Sequence, residues 1–318
     1  MKEITSFGDS YKSFYVYSLM ITVAMGPLYW GYSAGVISPT QEYLMKKVFP
    51  SEPASILYLS VAIRNIGAIL GGGLGGQLAS HLGRRKALML SDILGVVSSL
   101  LSVVPNIWVL LVSRILNGIY TGLNCVVVPL YIGETSPPEI KGKTGTYTSL
   151  FDTVGVLIGY LLGLGMPSIL DEDASYYWQI MFILGGLIPL LRYLLLSKIF
   201  QHDTPIFLLT NNKVEEAQKA YHLIYQQERA NEEFHTTFRS IELLGKDSKK
   251  NVSTTELFTR RYRMALFVGC FLNFQIQFTG FQYITFYATS IFKMAAKGPE
   301  DNSPQLFTII LGLSAVIT

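Results

Sequence analysis

Charged residues are scarce in this sequence, and so are cysteine and histidine. Only 15% of the residues are charged and half are hydrophobic, whereas a soluble domain carries about 25% charge. This shortage excludes an ordinary soluble domain. It also argues against nucleic-acid binding, because the few basic residues stand beside apolar runs and form no separate basic patch.

The cysteines and histidines form no recognisable site. Cys125 and Cys270 both fall within apolar runs, so we expect them to be packing residues rather than a disulfide. The four histidines share no metal-ligand spacing, and no nucleophile motif or phosphate-binding loop accompanies them. We therefore expect no metal, no cofactor and no enzymatic activity.

Apolar runs of membrane length dominate the rest of the sequence. The glycine-rich stretch at residues 71–76 lies within one of them, and it suits close helix contact in a bilayer better than helix propensity. The sequence thus predicts an all-α membrane protein embedded in the lipid bilayer. We expect its spans at residues 13–37, 54–79, 87–104, 107–131, 144–164, 178–196, 262–292 and from about 304 onward.

A long polar segment, residues 197–261, separates the sixth and seventh spans. Within residues 213–226, apolar side chains recur at helical spacing. They predict a short helix that lies against the membrane domain on the face made by Val214, Ala217, Tyr221 and Ile224.

Basic residues are distributed unevenly over the connections between spans. If the N-terminus is cytosolic, the outside loops keep only Lys46, Lys47, Lys293 and Lys297. The positive-inside rule therefore predicts a cytosolic N-terminus. The inside loops then hold the polar segment together with Arg84, Arg85, Lys86, Lys141 and Lys143.

Residues 116–142 combine an apolar helix with a charged exit. Gly118 and Gly122 make a small-residue face that lets two helix backbones approach. The stretch resembles the signature of the sugar porter family of the major facilitator superfamily, through Leu116, Gly118, Ile119, Gly122, Tyr131, Glu134 and Lys141. Residues 75–85, 203–209 and 277–292 resemble further motifs of that family.

The resemblance implies a major facilitator fold, which has twelve helices in two bundles. This chain would supply a complete first six-helix bundle (residues 1–196), a cytosolic loop with short helices (197–261) and the start of the second bundle (262–318). It would be a multi-pass carrier in the plasma membrane that moves a hexose or a related sugar or polyol by alternating access. The resemblance gives no oligomeric state.

The resemblance also implies that amide and hydroxyl side chains bind the sugar, which is uncharged. It points to Gln277 and Gln282, with Gln275 two residues earlier, and to Ser149 in place of a family glutamine. Trp30 supplies an aromatic face. An amide within a span can instead be a helix-to-helix hydrogen bond, so both interpretations stay open.

The charged residues Asp152, Arg64 and Arg114 lie within spans and are functional hypotheses by default. Asp152 is either a coupling group or the partner of Arg64 in a structural ion pair. Proton-driven members of the family carry an aspartate where this chain has Ser33, so the resemblance favours facilitated diffusion. Proton symport through Asp152 and a transport-incompetent truncated fragment with a regulatory role are the alternatives.

The family closes its cytosolic side with ion pairs. The resemblance assigns that gate here to Glu134, Lys141, Arg84, Arg85 and Asp203. The basic residues Arg84, Arg85 and Lys86 also serve to fix the orientation of the chain in the membrane, and the two roles are compatible. Three charged residues of the family motifs are replaced in this chain by Ser80, His81 and Ile206. With fewer ion pairs, we expect the closed cytosolic side to be held less tightly.

Overall fold

The computed structural model describes residues 10–166, 176–247, 258–260, 262–295 and 303–317. Within these ranges the chain is helical, apart from connections and one isolated β-bridge. The predicted all-α fold is confirmed. The helices are α1 (Ser13–Tyr43), α2 (Ala54–Leu82), α3 (Arg84–Ser102), α4 (Ile107–Thr135), α5 (Lys141–Gly145), α6 (Tyr147–Gly163), α7 (Tyr177–Lys198), α8 (Pro205–Thr210), α9 (Val214–Ile224), α10 (Gln227–Asp247), α11 (Arg263–Phe278), α12 (Phe281–Ala295) and α13 (Ser303–Ile317).

Several spans are longer than the apolar runs that predicted them. α1, α2 and α4 continue into polar residues at their ends, and a π-helical turn, Leu44–Val48, extends α1. Among the described residues, α4 and α7 are long and apolar enough to cross a membrane by length and hydropathy, and Pro304–Ile317 is a shorter apolar helix.

The predicted seventh span, residues 262–292, consists of two helices rather than one. The structure breaks it into α11 and α12 at Gly280, whose φ of 70° lies in the left-handed region. Glycine adopts that conformation without the penalty that a Cβ brings. The break lets α12 take its own direction from α11.

Glycines bring two pairs of spans into backbone contact. A Cβ built on Gly118 of α4 would lie 2.0 Å from the carbonyl oxygen of Arg64 on α2, and one on Gly31 of α1 would lie 1.9 Å from that of Asp152 on α6. Gly122 makes a similar approach to Ala68. The small-residue face predicted on the fourth span is confirmed.

The polar segment after α7 packs beneath the spans. Ala217, Tyr221 and Ile224 of α9 are buried as predicted, but Val214 is 39% exposed because it begins the helix. The chain before α1 joins this layer through a β-bridge between Tyr11 and Tyr225. The N-terminal segment and α9 therefore lie at the same end of the bundle.

The two cysteines do not pack as expected. Both Cys125 on α4 and Cys270 on α11 are exposed free thiols. Cys125 lies on a side of α4 that the neighbouring spans leave uncovered, and Cys270 belongs to a helix with a largely exposed surface. An apolar sequence neighbourhood did not reveal which side of each helix the thiol takes.

Candidate functional site

Arg64 is the centre of a polar cluster at the middle of the spans. Only 3% of Arg64 is exposed, and its Nε donates to Asn117 Oδ1 at 2.8 Å. Its Nη2 donates to the Trp30 carbonyl, to Ser33 Oγ and to Thr121 Oγ1 at 3.3–3.4 Å. The guanidinium is therefore held by neutral oxygens of α1 and α4.

Asp152 lies beside this cluster on α6. Its Oδ1 is 2.7 Å from the Cβ that Gly31 would carry, so the carboxylate lies against α1. The charges of Asp152 and Arg64 attract each other. However, the described residues contain no ion pair within 4.0 Å between them. The structural ion pair considered from the sequence is therefore absent, because Arg64 is already engaged by Asn117.

Arg114 is also buried, at 3% exposure, and lies about one helical turn before Asn117 on α4. Its guanidinium carbon lies 4.9 Å from the centre of the Phe182 ring, which is the geometry of a cation–π contact. The described residues provide it with no carboxylate within 4.0 Å. Arg64 and Arg114 are thus two buried cations that are stabilised by dipoles and a ring.

The residues expected to bind sugar have different environments. Gln282 is half-buried on α12 and Trp30 is half-buried on α1, whereas Gln275, Gln277 and Ser149 are exposed. α12 brings its Phe286 ring to 5.4 Å from the Arg64 guanidinium carbon. The structure therefore places the helix of Gln282 against the Arg64 cluster, and sugar contact by these five residues stays a prediction.

A buried ion pair between Asp92 on α3 and Arg192 on α7 was missed from the sequence. Arg192 Nη2 lies 2.6 Å from Asp92 Oδ1, and both side chains are fully buried. Arg192 Nη1 also donates to Asn124 Oδ1 at 2.8 Å, and Nη2 donates to Ser91 Oγ at 3.1 Å. The signal was available, since each charge interrupts an apolar run.

The charged end of the bundle carries a second ion pair. Arg84, the first residue of α3, donates from Nη2 to Glu134 Oε1 at 2.7 Å, and its guanidinium carbon lies 5.1 Å from the Phe207 ring centre. Thr204 Oγ1 donates to the other oxygen of Glu134. Glu134 thereby joins α4 to the start of α3 and to the segment after α7.

Asp203 closes the same end by accepting backbone hydrogen bonds. Its carboxylate accepts from the N–H groups of Arg84, Arg85 and Thr204 at 2.8–3.3 Å. Burial raises the pKa of the Asp203 carboxyl, and these three donors act in the opposite direction. The carboxylate leaves no room for a side chain at Gly83, where a Cβ would lie 2.1 Å from Oδ2.

Lys141 takes no part in this arrangement. It was expected to join the gate, but it is exposed at the start of α5, and no carboxylate of the described residues lies within 4.0 Å of it. Arg85 is half-buried, and its Nε donates to the Leu196 carbonyl at 2.8 Å rather than to an acid. The structure thus joins Glu134, Arg84 and Asp203 in one cluster and leaves Lys141 outside it.

Among the residues that the structure describes, no metal-binding cluster accompanies either site. The described residues contain no group of three or more His, Cys, Asp or Glu that could hold a metal ion. The two sites can act through hydrogen bonds and electrostatic attraction. Arg64, Asn117 and Asp152 provide these groups at the middle of the spans, and Glu134 and Arg84 provide them at one end.

Comparison with known proteins agrees with this architecture. The chain is 30% identical over 273 residues to plastidic glucose transporter 4 of Arabidopsis thaliana, covering 85% of this chain and 48% of that protein. It is 28% identical over 316 residues to hexose transporter 1 of Plasmodium vivax, covering 92% of this chain and 63% of that protein. The chain therefore spans about half to two thirds of the length of these relatives.

Solved structures show the same fold. The major facilitator superfamily proton:xylose symporter XylE, bound to 6-bromo-6-deoxy-D-glucose, superposes with a TM-score of 0.78 at 26% identity, over 95% of this chain and 67% of that one. A partially occluded inward-open form of XylE from E. coli gives a TM-score of 0.74.

A profile of the family described as "Sugar (and other) transporter" matches residues 19–318, which is nearly the whole chain. The match agrees with the signature on α4 and with the major facilitator fold of the neighbouring structures. The chain is an integral membrane protein that belongs to the sugar transporter family of the major facilitator superfamily.

Proposed function

We propose that this chain is part of a carrier that moves a hexose or a related sugar or polyol across a membrane by alternating access. The observation that carries the proposal is the family match over residues 19–318. Relatives named as glucose, hexose and inositol transporters support the substrate class. A polar face of Ser33, Asn117 and Thr121, with α12 packed nearby, supports a site for uncharged hydroxyl groups.

Uptake into proteoliposomes tests the proposal. Labelled glucose, fructose and inositol are offered to this chain and to a version extended by the remaining helices of a relative. Saturable uptake of one of them supports the carrier, and uptake only by the extended version supports the alternative of a transport-incompetent fragment. Absence of uptake of all three sugars by both versions overturns the carrier proposal.

Facilitated diffusion is the favoured mode of transport. Ser33 Oγ lies 2.9 Å from the Trp30 carbonyl and 3.2 Å from Asn117 Oδ1, so this hydroxyl is engaged within the first bundle. A serine does not titrate at working pH. It supplies no proton-binding group at the position where the resemblance places the coupling aspartate.

Proton symport through Asp152 is the second candidate, and two observations favour it. The carboxylate is half-buried beside Gly31 without an ion pair to Arg64, and a structural neighbour is named as a proton:xylose symporter. Uptake that collapses with a protonophore in the parent chain, and no longer responds in Asp152→Asn, would establish symport. Uptake that ignores the protonophore in both would establish facilitated diffusion. Ser33→Ala is the matched control and leaves the response unchanged in either case.

A cytosolic N-terminus and a plasma-membrane location belong to the same proposal. The main-chain N–H of Lys12 donates to the Ile224 carbonyl at 2.8 Å, which places the N-terminal segment with the polar layer after α7. That layer and the start of α3 carry the basic residues that the positive-inside rule assigns to the cytosol. Labelling of Lys143→Cys and Lys46→Cys, each in a Cys125→Ser/Cys270→Ser background, in intact cells with an impermeant maleimide tests it, and only the second should react.

A further inference from the structure

A cavity of about 270 Å³ lies at the charged end of the bundle, away from the Arg64 cluster. It opens between the start of α3 and the segment that runs from residue 201 to the first turns of α9. The volume far exceeds the roughly 10–15 Å³ in which one water fits. The cavity is therefore large enough for a small ligand group.

Basic side chains surround this cavity. His81, Arg85, Lys86 and Lys213 all line it, and apolar side chains such as Leu82 and Phe207 complete the wall. Arg85 is held in place by the bond from its Nε to the Leu196 carbonyl. Among the described residues no carboxylate oxygen lies within 4.0 Å of the charged side-chain nitrogens of Arg85 or Lys86. Neither positive charge is therefore neutralised by a direct ion pair.

The two acids that line the cavity are already engaged. Asp203 accepts the main-chain N–H groups of Arg84, Arg85 and Thr204, so its charge caps the start of α3. Glu216 is 3.3 Å from Lys213, but both side chains are more than half exposed. An exposed pair of this kind contributes little, so Lys213 can turn toward an anion at small cost.

The cavity also lies at the level where spans end. α2 ends at Leu82, α3 begins at Arg84 and α7 ends at Lys198, so the basic side chains stand at the height of lipid headgroups rather than in hydrocarbon. Basic pockets at this level bind anionic headgroups, and each nearby Lys or Arg strengthens the attraction. Leu82 is 43% exposed beside the opening and offers a surface for the first carbons of an acyl chain.

The geometry points to a binding site for a phosphate group in this cavity, held by Arg85, Lys86 and Lys213. The ligand is an anion with a terminal phosphate, either a lipid headgroup or a soluble phosphate compound. Arg85 presents its guanidinium amino groups, which match phosphate oxygens as a fork, and the two lysines add charge. The site is spatially separate from the proposed sugar site, since none of its residues belongs to the Arg64 cluster.

Binding to the purified full chain in detergent tests the site. The unfolding temperature is followed while dioctanoyl phosphatidic acid, dioctanoyl phosphatidylcholine or inorganic phosphate is added. We expect phosphatidic acid to raise the unfolding temperature and phosphatidylcholine to leave it unchanged. The double variant Lys86→Gln/Lys213→Gln should weaken the apparent affinity by roughly tenfold or more. Lys219→Gln, an exposed lysine of α9 outside the cavity, is the matched control and should stay within about twofold.

The remaining outcomes distinguish a lipid ligand from a soluble phosphate and show which results would overturn the proposal. A response to phosphatidic acid alone assigns the site to lipid, and a response to inorganic phosphate as well assigns it to soluble phosphates. Equal responses to phosphatidic acid and phosphatidylcholine would overturn the proposal, and so would an equal loss in the Lys219→Gln control or no response at all. Lys86 and Lys213 are surface side chains, so the double variant folds, and its unfolding temperature without ligand verifies this.

Discussion

At the scale of single residues, Arg192 shows how a charge is accommodated within the bundle. Its guanidinium donates to Asp92, Asn124 and Ser91 and to the Val23 carbonyl, and none of its surface is exposed. A buried charge without such partners is costly. The contact therefore joins α1, α3, α4 and α7 at one point, and its strength depends on every partner being present.

Arg192→Met should destabilise the protein by about 3–5 kcal/mol, because Asp92 would be left buried and unpaired. The measurement is the unfolding temperature in detergent, followed by tryptophan fluorescence. Lys213→Met breaks the exposed pair with Glu216 and is the control, with an expected loss of about 0.2–1 kcal/mol. Equal losses in the two variants would show that burial does not decide the strength of these pairs.

Glu134→Gln should loosen the segment after α7. The variant loses the ion pair with Arg84, whose side chains are only 15% and 9% exposed, and weakens the bond from Thr204. Amide hydrogen exchange in residues 203–210 should accelerate by roughly tenfold or more, because hydrogen bonds to charged groups contribute about 1.5–3 kcal/mol. Lys141→Gln, which removes an exposed charge without a carboxylate partner, should leave exchange unchanged. Unaltered exchange in Glu134→Gln would remove Glu134 from the gate proposal.

At the scale of helices, the sequence predicts where the spans lie better than it predicts where a helix breaks or how two helices are rotated relative to each other. Apolar runs located the spans, and Gly118 and Gly122 marked the face on which α2 and α4 meet. The break at Gly280 escaped detection because hydrophobicity is continuous across it, although a Thr-Gly step was its visible signal. Asp92 and Arg192 stand on separate spans, and only the relative rotation of α3 and α7 shows that they meet.

Gly118→Ala tests the contact between α2 and α4. The added methyl group would lie 2.0 Å from the Arg64 carbonyl oxygen, so the helices must separate, at an expected cost of about 1–3 kcal/mol. Gly133→Ala on the same helix meets nothing within 4 Å and should be neutral or stabilising, because alanine favours the helix over glycine. Unfolding temperatures of the two variants, measured side by side, give the comparison. A loss in Gly133→Ala as large as in Gly118→Ala would contradict the close-packing explanation, because the methyl group at residue 133 meets no neighbour.

At the scale of the whole molecule, contact between the first bundle and the start of the second is concentrated at one end. Lys293 of α12 lies 2.6 Å from Glu42 of α1, and Ser38 Oγ donates to Thr289 Oγ1 at 3.0 Å. α11, by contrast, exposes large apolar side chains, including Phe271 at 54% and Phe274 at 59%. The start of the second bundle therefore contacts the first bundle at the Glu42 end of α1, whereas α11 leaves its apolar surface exposed.

Lys293→Gln should open the closed end, because it removes the ion pair that ties α12 to α1. The thiol of Cys125 on α4 reports the opening, because it is free and exposed and lies close enough to Asp152 and Arg64 to interact with their charges. In a Cys270→Ser background it is the one cysteine of the sequence. We expect an impermeant maleimide, added from the side that carries Glu42, to label Cys125 several-fold faster in Lys293→Gln than in the parent.

Lys46→Gln separates the two contacts of the same carboxylate. Lys46 also lies 2.8 Å from Glu42, but it is four residues along the same chain segment and ties α12 to nothing. Its loss changes the local charge as much as the loss of Lys293 does, yet should leave Cys125 labelling at the parent rate. Equal acceleration in both variants would mean that charge near Glu42, and not the bond between α1 and α12, controls access. A slow rate in both would mean that Ser38 and Thr289 hold the end closed without the ion pair.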